Sequence, residues 1–297
     1  MLYLIDCSIY IFRAWQTHPP SIINTHGEQA NAVHGFTDTL AHILTEKQPE
    51  FIACAFDKSA KTGERYTIFP EYKANREPAP PELQIQFDRC IQVAAAMGIP
   101  TFSSTKVEAD DIIGSFSQLA HQSRQKVTIV SADKDLAQFI GEGDCYWNLA
   151  RKEQYDYRQL TKKFKVLPEQ MADMLALCGD KVDNVPGIPG VGPTTAARLL
   201  RKWETLDGVI ENQERIASMH FRGAPRIATL VAENVETVRL ARQLTGLIID
   251  TSLPNSMNDL KRQTLSNSLV AQNLIEAGVS EQRAHKLALS IEPKTLC

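Results

Sequence analysis

Apolar residues in the first half of the chain fall into short blocks, not long stripes. Leu2–Ile5, Phe51–Phe56 and Val127–Val130 are apolar or β-branched and are separated by helix-length segments. Strand–helix alternation of this kind predicts an α/β fold with a mostly parallel sheet. Each block stops at, or two residues short of, an aspartate: Asp6, Asp57 and Asp133. Open parallel sheets bind ligands beyond the carboxyl ends of their strands. Three acids remote in sequence are therefore expected along one edge.

Other patterns fill in the frame. A helix is predicted from Leu83 to Met97, and another opening near Glu108, which sets Glu108 and Asp111 on one face at i, i+3. Residues 58–81 form a polar excursion with a local charge of +2, ending in Pro78, Pro80 and Pro81. After about Leu160 strand signals fade and helices dominate, including a pattern from Ile227 to Leu247. A boundary is expected there, dividing the chain into 1–165 and 166–297. The tract 151–165 carries six basic and two acidic residues. In PGIPGVGPTTAARLL, Gly187, Gly190 and Gly192 predict a tight turn opening a helix at Pro193, with bare N–H groups suited to a phosphate.

Charge changes the picture most. Nine acids sit in five clusters: Asp6; Asp57; Glu108, Asp110 and Asp111; Asp133 and Asp135; Asp180 and Asp183. Any single aspartate is best explained as a helix or turn cap. Nine in series supply oxygen-only donors, which suit Mg²⁺ or Mn²⁺, not zinc. The net charge of −3 gives no global pull towards nucleic acid, but bound cations would offset part of it. Hydrophobic content of 43% over 297 residues fits one large or two ordinary globular domains. The six cysteines show no zinc spacing and read as reduced, buried thiols. No signal peptide is evident, and no apolar run approaches the ~20 residues of a membrane span, so a cytoplasmic protein is expected.

The ordered series LYLID, VEADD, SADKD and GDKVDNVPGIPGVGPTTAARLL resembles the 5′-nuclease (flap endonuclease) family. The resemblance is greatest to the 5′–3′ exonuclease domain at the N-terminus of bacterial DNA polymerase I. It runs to about Leu253, and it leaves no room for a polymerase domain, so a free-standing version is expected. It implies a PIN-like α/β core over 1–165 with a helical arch around 70–97. Beyond that it implies a helical region carrying a helix-three-turn-helix (helix-hairpin-helix) DNA-binding module.

Carried over by position, Asp6, Asp57, Glu108 and Asp110 are similar to the first metal group, with Asp111 close by. By the same resemblance Asp133 would be shared between two Mg²⁺ or Mn²⁺ ions, and Asp135, Asp180 and Asp183 would make the second group. Tyr72, Lys73 and Arg76 match the arch-base motif, whose lysine and arginine approach the scissile phosphate; Arg65 matches an upstream arginine. Gly190, Val191, Gly192 and Thr194 match the turn that holds duplex backbone, where K⁺ is often bound. Three departures stand out. Cys7 follows the first aspartate, Glu64 replaces a phenylalanine, and Lys181-Val182 replaces a small pair. The implied activity is cleavage of DNA at 5′ ends, flaps and single-strand/duplex junctions, with RNA–DNA primers as further substrates and a monomer as the working form. A catalytically weak junction-binding protein and a PIN-type ribonuclease are the competing readings.

Overall fold

The computed structural model describes residues 1–57 and 63–292; Lys58 and Lys61 of the polar excursion, and Cys297, lie outside the described residues. The first half alternates as expected: β1 (Leu2–Asp6), α1 (Cys7–Thr17), α2 (Asn31–Lys47), β2 (Phe51–Ala55), α3 (Glu64–Ile68), α4 (Pro81–Ala96), β3 (Thr101–Phe102), α5 (Ala109–Gln122), β4 (Val127–Val130), β5 (Cys145–Asn148), β6 (Glu153–Tyr155) and α6 (Tyr157–Phe164). The sheet runs β3-β2-β1-β4-β5-β6, parallel throughout except for antiparallel β6. Strand order reverses between β1 and β4, which makes their carboxyl ends a topological switch point.

Both sheet faces are covered, which is why β1, β2 and β4 read as unbroken apolar blocks. One face packs Phe36, Leu40 and Ile43 of α2 and Cys90 and Val93 of α4. The other packs Ile112, Ile113 and Phe116 of α5. Of the arch expected around 70–97, the part at 81–96 is corrected here. Residues 81–96 form α4, whose Leu83, Cys90, Val93 and Ala94 are buried in the core, so that helix cannot stand free over a cleft. Its apolar face decides the matter.

The helical region follows: α7 (Met171–Cys178), α8 (Pro193–Trp203), α9 (Leu206–Glu211), α10 (Gln213–Ile216), α11 (Ala224–Glu233) and α12 (Val235–Thr245). These share a separate core of Leu177, Leu199, Leu200, Val209, Ile216, Val231 and Val238. The chain does not stay there. Arg262 N–H donates to Glu50 O at 2.8 Å and Gln263 N–H to Gly98 O at 2.8 Å, stitching the chain back to the sheet. Then α13 (Asn267–Glu276) and α14 (Glu281–Ser290) bury Val270, Leu274, Ala284 and Leu287 in the core of α2 and α4. The last helices thus pack on the first layer, not within the 166–297 region to which the sequence pattern assigned them. No helix among the described residues is long and apolar enough to cross a membrane.

Candidate active site

Strand ends and helix starts deliver the acids together. Asp6 ends β1 and is the N-cap of α1; Ser131 Oγ donates to its Oδ2 at 2.7 Å. Asp133 follows β4 and accepts the Asp135 amide at 2.9 Å, capping the 3₁₀ turn Lys134–Phe139. Asp57 follows β2 and accepts the Ala109 amide at 2.9 Å, at the first turn of α5. The capping role considered for single aspartates therefore holds for several. It leaves oxygens to spare, so it does not exclude ligation.

Asp6, Asp57, Glu108, Asp110, Asp133 and Asp183 line one cleft of about 160 Å³. Asp133 and Asp183 also line an adjoining cavity of about 370 Å³ with Asp135 and Asp180. The two expected acid groups are thus neighbours that share Asp133, and Asp183, expected in the second group, lines both cavities as well. Crowding shows in their proton affinities. Burial, then Asp57 and Asp133, lift Asp6 to about 7 against the Ser131 hydrogen bond. Burial and Asp133 likewise raise Asp135 to about 7. Asp110 is raised by burial and by Asp133 and Asp6.

Cations hold this cluster in place. Lys73 Nζ donates to Glu108 Oε1 at 2.6 Å and lies 3.6 Å from Asp183 Oδ2; Arg76 pairs with Asp183. Burial works against the Lys73 ammonium, but Glu108 and Asp183 outweigh it and raise its pKa. Lys73 takes a left-handed backbone, φ 52°, held by its N–H donating to Asp183 O at 2.9 Å. Asn75 Nδ2 donates to Lys181 O at 2.8 Å and Asn184 Nδ2 to Glu71 O at 2.7 Å. Segments 71–76 and 180–184 are therefore laced into one wall. Among the described residues, no three acidic, histidine or cysteine side chains converge on one point closely enough to hold an ion.

Three sequence-derived roles need correcting. Asp111 is 1% exposed, and its carboxylate is used up: Oδ1 accepts Arg65 Nη2 at 2.8 Å and the Ile248 amide at 2.9 Å, while Oδ2 accepts Arg65 Nη1 and the Glu108 amide. It is a structural anchor beside the cluster. Arg65, 6% exposed, also donates to Leu244 O at 2.7 Å and Gly246 O at 2.8 Å, so it faces the carbonyls ending α12 and not solvent where DNA would lie. Tyr72 is 3% exposed and its hydroxyl donates to Glu108 Oε2 at 2.9 Å, which leaves no ring face for a base. The sequence pattern gave no notice of Ser131, Ser8 and Lys134. Ser8 Oγ accepts the Asp57 amide at 3.0 Å, and Lys134 Nζ donates to Asp180 Oδ2 at 3.0 Å. The serines carry no spacing signal; Lys134 stands in view between two acids of SADKD.

In the helical region, α7 and α8 flank the glycine turn. Gly187 is not part of the tight turn expected of it: a Cβ there would meet Gly179 N at 2.2 Å, so it marks a backbone crossing. The turn itself closes with Val191 N–H donating to Ile188 O at 3.0 Å and Gly190 at φ 85°. Gly192 caps α8 without a side chain, leaving Gly190, Gly192 and Thr194 exposed and Val191 buried beneath them.

A mostly parallel sheet whose switch point gathers acids, followed by a helical region with a glycine turn, is the arrangement of an α/β nuclease. Residues 1–165 match the model of the 5′-3′ exonuclease N-terminal resolvase-like domain, and residues 166–268 that of the 5′-3′ exonuclease C-terminal SAM fold. The chain belongs to the 5′-3′ exonuclease family. It is 34% identical over 275 residues to the 5′-3′ exonuclease of Aquifex aeolicus, covering 93% of this chain and 91% of that one. It is 37% identical over 266 residues to DNA polymerase I of Rhizobium leguminosarum, covering 87% of this chain but only 26% of the polymerase. The fold is shared with T5 5′-exonuclease (TM-score 0.66, 19% identity, 98% and 97% covered) and with the catalytic core of Rad2 (TM-score 0.62, 13% identity, 97% and 91% covered).

Proposed function

We propose that this exonuclease is a divalent-metal enzyme that hydrolyses DNA at 5′ ends and at 5′ flaps near single-strand/duplex junctions. The observation that carries the reading is the meeting of Asp6, Asp57, Glu108, Asp110, Asp133 and Asp183 in one cleft that adjoins Asp135 and Asp180. Divalent metal ions (zinc) are bound to T5 5′-exonuclease, and the Rad2 core has been seen with a DNA substrate. The donor set here fits Mg²⁺ or Mn²⁺ better than zinc, being carboxylate oxygen alone. Asp135 Oδ1 is buried without a hydrogen bond; Lys134 Nζ stands 3.3 Å away, a charge contact outside hydrogen-bond geometry. With water filling most of each ion's shell, so that three carboxylates need not converge on one point, Asp6, Asp57, Glu108 and Asp110 would hold one ion, Asp135, Asp180 and Asp183 a second, with Asp133 between.

Two ions bound there would supply hydroxide near neutral pH and offset charge on the phosphate. The chain's own cations do the positioning. Lys73 and Arg76, now paired with Glu108 and Asp183, would exchange those carboxylates for the oxygens of the scissile phosphate. Tyr72 keeps Glu108 and Asp183 oriented from behind. The bare amides opening α8, with Gly190, Val191, Gly192 and Thr194, would hold duplex backbone without reading bases, so selection is by junction shape. A K⁺ ion at that turn would take main-chain carbonyl oxygens. We further propose a monomer working in a reducing cytosol, with RNA–DNA primers among its substrates; free, buried Cys7, Cys54 and Cys90 support that setting.

An end-labelled 5′-flap duplex, incubated with Mg²⁺, with Mn²⁺ and with chelator, tests the reading against Asp133→Ala. Metal-dependent cuts near the junction, lost in the variant while binding persists, are expected. Cleavage that survives in Asp133→Ala would refute the site assignment.

A further inference from the structure

The basic tract 151–165 has no part in the site as described, yet two of its cations line a cavity with the acids. Arg151 opens the turn from β5 to β6, where Asn148 Oδ1 accepts its amide at 3.1 Å. Lys163 lies in the last turn of α6, its Nζ 3.9 Å from the centroid of the Tyr155 ring. Both line the cavity of about 370 Å³ that Asp133, Asp135 and Asp180 also line, and the half-buried Phe164 adds ring surface to it. Among the described residues Arg151 is exposed without an ion-pair partner, and the carboxylate contact of Lys163, to Glu153, is long at 3.9 Å.

We propose that this cavity is a subsite for one unpaired nucleotide of the strand being cut, with Arg151 and Lys163 on its phosphate. The proposal rests on the nuclease reading and names where the strand goes beside the acids. Carboxylates repel phosphate, so a strand drawn into a cavity they line needs positive charge in the same lining. The volume suits one small ligand, not a helix segment. Bases stacked in a duplex cannot enter such a recess; an unpaired base can, and aromatic surface accepts any base by its π-face. Two nucleotides could supply that occupant: the last one of the flap, or the first duplex nucleotide unpaired at the junction.

The test uses the full chain, in chelator, with duplexes carrying aminopurine either as a one-nucleotide 5′ flap or at the first paired position past a nick. One of the two probes should change its fluorescence on binding, and which one does identifies the source. In Arg151→Ala/Lys163→Ala that change should vanish and affinity fall roughly tenfold. The slope of log affinity against log salt should flatten by about 0.7 for each single-strand phosphate that the variant no longer neutralises. A double variant that keeps the fluorescence change and the salt slope would overturn the subsite. So would an equal loss of affinity for an unbroken duplex, which would make the wall a general backbone-binding surface. Because binding is read without metal, a wild-type chain that shows the probe response but never cleaves would sink the nuclease reading and leave the subsite standing.

Discussion

Replacing Arg65 by methionine separates a structural arginine from a DNA-contacting one. Its guanidinium is sealed between the Asp111 carboxylate and the Leu244 and Gly246 carbonyls, joining α3 to α5 and to the end of α12. Removing one partner of a buried ion pair leaves the other charge unpaired and typically costs about 3–5 kcal/mol. For a chain of this size that is a fall in thermal midpoint of roughly 6–10 °C. Arg65→Met/Asp111→Leu removes the stranded charge, though the Glu108 and Ile248 amides and two carbonyls lose partners at about 1 kcal/mol each. The double variant should thus be less destabilised than the sum of the singles, with a coupling of roughly 2 kcal/mol. Melting curves of the four proteins measure this, and flap-DNA affinity well below the midpoint completes the comparison. Additive losses, or a stable Arg65→Met whose DNA affinity falls more than about tenfold, would refute the argument and return the arginine to the substrate.

Other outcomes follow from the same geometry. Asp6 and Asp135 hold their protons to about 7, above the ordinary range, so they favour the folded state at acid pH and lose that contribution as pH rises towards 7. Metal-free protein should melt lower at pH 8 than at pH 5.5, Mn²⁺ should restore the loss, and Mn²⁺ affinity should climb steeply between these pH values; a flat melting profile in chelator would contradict the crowding. Lys134→Met, which frees Asp180 and Asp135 of their ammonium, should make Mn²⁺ stabilise the protein more than it does wild type, read as the metal-induced shift in midpoint. Gly187→Ala should cost about 2 kcal/mol or more through the clash at Gly179, whereas Gly192→Ala, in open space, should stay within ~0.5 kcal/mol by denaturant titration. Equal losses would misplace the crossing.

The strands of the first half were legible because a sheet covered on both faces needs continuous apolar blocks, and their terminal aspartates pointed to the edge. What escaped were features made by distant pairing. Nothing local in VEADD tells Asp110, which lines the cleft, from Asp111, which meets Arg65 from 46 residues earlier. Tyr72 lies in a polar stretch, and only its packing against the helical core buries it. Residues 81–96 of the expected arch form a core helix because the helical spacing of Leu83, Cys90, Val93 and Ala94 gives them one buried face. Likewise α13 and α14 follow a helical region in sequence, and their apolar faces cannot say which of two cores they join.

That return of the chain makes the helical region an insertion secured at two points, near residue 165 and at the Arg262–Gln263 stitch. A domain on one tether can swing; one on two is held like the jaw of a caliper. Any duplex seated at the Gly190 turn would meet the acid cleft at a span set by the protein alone, so cut position would be measured from the grip and be indifferent to base sequence. Lengthening either tether should blur the cut over neighbouring phosphates before it slows cleavage.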